Sequence, residues 1–381
     1  MRLSESQIKA FIQHPEEEVR LTAQRYFTEP LADDTSVMPL VIQSVETYSV
    51  DSAFKILRDA EHLPQTESTI NWLIGQLNRD LDLASIDNDN YRFAVALVLC
   101  DADPMLISHR EKEIRQAPLF PSELDKRLGE TAVAAAWGGN VSWKNLRDGV
   151  DKLRRKRNWS SSDHRRIHNL VRWAARHRDV EPQVLALLRR ENHGLSPGLA
   201  DWMDSHIVQL AGLMRLDAAI PYIIERSHLA EDHVADECGD ALGKIGSDAV
   251  VEAIVNDWDC GDFHFRNIMC SALEKIHTDL CVNVCLELLH EEQDGEVQLE
   301  LGNAVLAHFA YEGIETVQQL VVGQEEDLHP EERDLRSRLV AVATIMEVTF
   351  PDYEQWHDDA MRTNYGWFDY ERKRIAENFG S

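Results

Sequence analysis

The sequence predicts an all-α chain, an α-solenoid of about ten helix pairs. Three observations point there. One short pattern recurs along the 381 residues: an acidic or polar lead-in, an apolar residue, and a second apolar residue four positions on. Its copies return at intervals averaging about 35 residues, the length of two short helices and two turns. Strand-like alternation of apolar and polar residues is nearly absent, while spacings of three and four are common. A helix pair of this size cannot bury its own apolar face, so it must stack on its neighbours.

The copies run in order along the chain. Val19 and Ala23 open the series in HPEEEVRLTAQRYF, followed by Ala53 and Leu57, Tyr91 and Val95, Leu128 and Ala132, Ile167 and Val171, and Met203 and Ile207. Val234 and Cys238, Phe265 and Met269, Val297 and Leu301, and Leu335 and Leu339 continue it. Between them lie second helical stretches such as VMPLVIQSV, STINWLIGQL, PQVLALLRR, AIPYIIERS, DAVVEAIVNDW and LCVNVCLELLH. The repeat array is expected over 1–350. Residues 138–162 are rich in Gly, Ser and Arg and read as a basic turn inserted between repeats. Residues 351–381 carry Tyr353, Trp356, Tyr365, Trp367, Phe368, Tyr370 and Phe379 and read as an aromatic cap for the last apolar face.

Composition narrows the function. The chain carries 39 Lys and Arg against 67 Asp and Glu, a formal charge of −28, which opposes bulk nucleic-acid binding. No apolar run reaches the ~18 residues of a membrane span, and the N-terminus has no signal-peptide core. None of the six cysteines forms a CxxC pair, as expected of reduced cytoplasmic thiols.

At EDHVADECGDALGKIGSDAVVEAI the sequence resembles a HEAT repeat of the short bacterial kind found in phycobilisome-lyase-like proteins. The likeness is strongest over 228–310 and extends to 14–27 and 87–100. It implies a right-handed armadillo-type superhelix that acts mainly as a scaffold, with its second helices lining a concave groove. It also implies that the cations after the anchors, Arg20, Arg92, Arg266 and Arg336, pair with acids in the turns. An enzyme of the same class, deoxyhypusine hydroxylase, needs several His-Glu pairs, and only His290-Glu291 is present.

Other chemistry-bearing residues have simpler readings. His277, Cys281 and Cys285 are spaced by four, which on one helix would offer zinc three ligands. Thiols in so apolar a stretch are expected to pack in the core instead. Asp257, Asp259, Cys260, Asp262 and His264 fall in one inter-helix turn without the closing Glu of a calcium loop, and Asp262 is placed to cap the next helix. No nucleophile, phosphate-loop or zinc-protease motif occurs. Neither a catalytic centre nor a cofactor is expected.

Charge layout carries the functional expectation. Residues 144–190 hold 14 Lys and Arg and 5 Asp and Glu, net +9, which leaves −37 for the rest. Residues 231–262 hold 10 acids and one Lys. On a helix over 163–178, Arg165, Asn169, Arg172 and Arg176 form one ridge opposite the apolar stripe, and over 231–245 Asp232, Asp236 and Asp240 form another. With the groove that the resemblance implies, both become partner-binding residues for a protein of basic or mixed charge. Two alternatives differ in class. A lyase-like enzyme would hold a linear tetrapyrrole through Arg165, Arg172 or Arg176, with Asp236 or Asp240 as acid or base. Nucleic-acid binding would use the basic stretch 144–178 with Trp143, Trp159 and Trp173 as stacking platforms.

Overall fold

The computed structural model describes residues 2–48, 50–83, 85–191, 195–229, 232–322 and 329–360. Among them 75% helix and no strand are found. The first helices are α1 (Glu5–Ala10), α2 (Glu17–Thr28), α3 (Val37–Thr47), α4 (Val50–Asp59), α5 (Glu67–Leu77) and α6 (Ile86–Asp101). Next come α7 (Pro104–Ser108), α8 (Glu111–Gln116), α9 (Asp125–Ala134), α10 (Gly139–Arg154), α11 (Ser161–Ala175) and α12 (Glu181–Leu188). They are followed by α13 (Pro197–Leu213), α14 (Ile220–Leu229), α15 (Asp232–Ile245), α16 (Asp248–Trp258), α17 (Phe263–Leu273) and α18 (Asp279–Glu291). The last are α19 (Gly295–Ala307), α20 (Tyr311–Leu320) and α21 (Pro330–Ile345).

All ten anchors lie on helices: α2, α4, α6, α9, α11, α13, α15, α17, α19 and α21. Every second anchor, from Ala23 to Leu339, is buried. The pattern therefore marks the inward face of alternate helices. The expected basic turn is corrected: most of 138–162 is α10, a four-turn helix. Ser142, Leu146, Val150 and Leu153, buried and spaced by four, four and three, are its inner face, which the surrounding Gly and Arg obscure.

Contacts divide the chain into two units, and not at residue 350. One comprises 1–98, 116–121 and 305–381, the other 99–115 and 122–304. In the first unit α2 packs on both α4 and α21, so early and late segments share a core. Leu3 N donates to Phe309 O at 3.1 Å, and Tyr26 meets the Phe309 ring edge-on at 5.8 Å. Of the aromatic tail, Trp356 is buried with Arg336 4.3 Å over its ring, and His357 reaches Glu16 at 3.0 Å. Tyr365, Trp367, Phe368, Tyr370 and Phe379 lie outside the described residues.

The second unit is built in two rows. α11, α13, α15 and α17 pack in chain order, and α14, α16 and α18 pack beside them. The α13–α15 seam is close: a Cβ on Gly212 would stand 2.6 Å from the Ala241 Cα, so only glycine fits. Gly246 ends α15 at φ +69°, the left-handed C-cap that closes the ALGKIG stretch.

Candidate functional site

The four anchor-adjacent arginines are held in two ways, and among the described residues only Arg266 meets an acid in a turn; Asp89, the partner of Arg92, is on α6 itself. Arg92 pairs with Asp89 at 2.6 Å, and Arg266 grips both Glu292 oxygens at 2.9 and 2.8 Å. Arg20, buried, instead donates to the His14 and Pro15 carbonyls at 2.8 Å each, and Arg336 donates to the Val321 carbonyl at 3.2 Å.

The arginine ridge of α11 turns out to have partners inside the protein. Arg172 Nη1 lies 3.2 Å from Asp101 Oδ2, and its Nη2 donates to the Asp101 carbonyl at 3.0 Å. Arg127 of α9 binds the same carboxylate, whose side chain is only 1% exposed. Thr131 Oγ1 donates to the Cys100 carbonyl at 2.7 Å. The carbonyls and negative dipole end at the terminus of α6 are thus met by two guanidinium groups and a hydroxyl. Arg176 pairs with Asp103 at 2.8 Å, whereas Arg165 is exposed and makes no ion pair among the described residues. Asn169 is corrected from an outward position. It is 4% exposed, on a helix packed by both α10 and α13. Beside this network, burial, then the Arg172 and Lys244 charges, lower the His168 imidazole to about 4.

The α15 ridge differs. Asp240 is shared by Lys244 of its own helix and Lys275 in the turn after α17, the latter at 2.8 Å. Burial alone would raise its carboxyl, but the two ammonium groups outweigh it and hold the group at about 2. Asp236 is exposed, and it makes no ion pair among the described residues. Asp232 begins α15, and its side chain lies outside the description.

Two clefts open in the second unit. Between α15 and α17 a cavity of about 360 Å³ is lined by Asp236, Glu237, Asp240, Asn267, Ser271 and Lys275. Between α8, α9 and α11 lies one of about 480 Å³. Its apolar wall is Val133, Trp137, Leu170 and Trp173, with Trp137 and Trp173 edge-to-face at 5.4 Å. Its rim joins Arg115 to Glu111 at 2.6 Å and Arg166 to Glu130 at 3.0 Å. Val133 is 59% exposed.

Asp236 and Asp240, named from the sequence, line the smaller cleft, whereas the larger one was not anticipated. Its residues come from three helices and the turn after α9, and the only hint was the apolar Val133 and Trp137 just past an anchor. The three tryptophans named for stacking do not form one platform. Trp173 packs on Trp137, and Trp159 packs on Trp202 at 4.9 Å. His277, Cys281 and Cys285 do not share a helix: His277 precedes the N-cap Thr278 of α18. Cys281 and Cys285 are fully buried, 3.9 Å apart, and Cys281 donates to Leu273 O at 3.3 Å. The turn after α16 behaves as expected, with Asp262 accepting from Phe265 N at 2.9 Å.

No family model matches this sequence, and no curated protein is similar enough to count as a relative. The HEAT resemblance rests on its own residues.

Proposed function

We propose that the chain is a non-catalytic scaffold, a right-handed solenoid of HEAT-like pairs that binds a protein partner through the clefts of its second unit. The observation that carries this reading is the α8–α9–α11 cleft. It offers an apolar wall, open to solvent at Val133, inside a rim of both charge signs. Such a site suits an apolar side chain flanked by charged residues, the anatomy of an interface core. The α15–α17 cleft, with Asp236 unanswered, suits a basic side chain.

The alternatives draw less support. Lys144, Arg154, Arg155, Lys156, Arg166, Arg172 and Arg176 pair with carboxylates, so seven of the twelve cations of 144–178 are already answered before any phosphate arrives. Of the residues a tetrapyrrole would use, Arg172 and Arg176 are engaged with Asp101 and Asp103, and Asp240 is held anionic, which leaves Arg165 and Asp236.

The test is quantitative co-purification from the native host, with the wild-type chain beside Val133→Asp and Asp236→Lys. Both positions are exposed, so folding should survive. One stoichiometric protein, lost or strongly depleted with each variant, supports the reading. A partner retained equally by both variants, or none captured, overturns it.

A further inference from the structure

We propose that His228, Asp257 and Cys260 form a binding site for a single divalent cation of zinc type, independent of the protein-binding clefts. The three residues come from two neighbouring helices and the turn that follows one of them. His228 is the penultimate residue of α14, Asp257 the penultimate residue of α16, and Cys260 lies in the turn to α17. α14 and α16 pack side by side, so their C-terminal ends bring these side chains together. One imidazole nitrogen, one carboxylate oxygen and the thiol sulfur all lie within 4.8 Å of one another. His228 Nε2 stands 3.2 Å from Asp257 Oδ2. Two ligands on one tetrahedral zinc, at bond lengths of ~2.0–2.3 Å, are themselves about 3.3–3.6 Å apart. The histidine and aspartate are therefore already at coordinating separation, and the thiol, within 4.8 Å of both, would close in on binding.

The imidazole is held in place. Its ring lies flat on Phe265, with centroids 4.0 Å apart and planes 4° from parallel. Phe265 is itself buried, and the turn approaches it so closely that a Cβ on Gly261 would fall 2.2 Å from its ring. A backing ring of this kind fixes the direction of Nε2, as supporting contacts fix metal-binding histidines generally.

The field is also right for a cation. Residues 231–262 carry 10 acids and one Lys. The C-terminal ends of α14 and α16 add the negative poles of two helix dipoles. A nitrogen, oxygen and sulfur donor set is that of zinc or its late transition-metal neighbours and not of calcium or magnesium. Three protein ligands leave a fourth position for water, since His228 and Cys260 are exposed. On binding, the Cys260 S–H bond breaks: its electron pair goes to the metal and its proton to solvent. The thiol currently donates to the Asp257 carbonyl at 3.1 Å, a contact it would give up.

The test uses the untagged full-length chain, stripped of metal by dialysis against chelator. Titration with Zn²⁺ should reach one equivalent and release about one proton per metal at neutral pH. Co²⁺ should give the absorption of a thiolate-bound tetrahedral ion. Cys260→Ser should abolish that band. His228→Ala and Asp257→Asn should each weaken Zn²⁺ at least about tenfold, the usual cost of a lost ligand or supporting partner. Circular dichroism should show all three variants folded. Failure of the wild-type chain to take up Zn²⁺ overturns the proposal. So does uptake with unchanged affinity in both Cys260→Ser and His228→Ala, which would place the metal elsewhere.

Discussion

The charged ridges of α11 and α15 look alike in sequence and behave differently in the fold. Arg172 and Arg176 are answered by Asp101 and Asp103, more than seventy residues earlier in the chain. On α15, Asp240 is answered by Lys244 and Lys275, but Asp236 stays exposed. A helix pattern says which residues share a face. What that face meets is set by distant chain, and that decides whether a charge serves stability or recognition.

The sharpest way to break this contrast is at the buried end of the α11 network. Asp101→Ala leaves Arg127 and Arg172 facing each other with no carboxylate between them. Removing one partner of so buried a cluster costs about 3–5 kcal/mol, visible as a lowered melting temperature. An unchanged melting temperature would mean the ridge is as outward-facing as that of α15.

A smaller effect is expected from acid. The His168 imidazole, about 4 when folded against 6.5 ordinarily, is neutral in both states above pH 6.5. As pH falls below 6.5 the unfolded chain takes up the proton first, so stability declines between about 6.5 and 4 and this contribution levels off below. Asp240 acts lower, its contribution being lost as pH falls from 3.8 toward about 2. Equilibrium unfolding across pH should show the upper slope in the wild-type chain and a shallower one in His168→Gln.

The smallest change belongs to the exposed part of the ridge. Arg176 and Asp103 are both well exposed, so Arg176→Ala should shift stability by no more than about 0.5 kcal/mol, and Arg165→Ala by less. A loss of several degrees in either would place them in the buried network with Arg172.

Much of the architecture was legible because it is local. The spacing of Val19 and Ala23, or of Phe265 and Met269, needs only helix geometry to read, and every second anchor is buried. α10 was missed because Gly138, Gly139 and Gly149 suggested a turn, whereas Gly149 is small because Leu170 of α11 comes so close: a Cβ there would stand 2.7 Å from it. The packing of α2 on α21 was invisible, since nothing in either segment names a partner three hundred residues away. The site was legible in part for the same reason. Asp236 and Asp240 share one helix, but the α8–α9–α11 cleft and the His228–Asp257–Cys260 cluster are made by packing.

The contrast between the ridges comes to a point in one paired experiment, thermal unfolding and partner retention on Arg172→Glu and Asp236→Lys. Expected is a drop on the order of 5–10 °C for Arg172→Glu, which sets a second carboxylate against buried Asp101. Asp236→Lys should melt within about 1 °C of the wild-type chain, as exposed sites do, and lose its partner. The opposite pattern, a stable Arg172→Glu that loses the partner beside a destabilised Asp236→Lys that keeps it, would contradict the division of labour between the two helices.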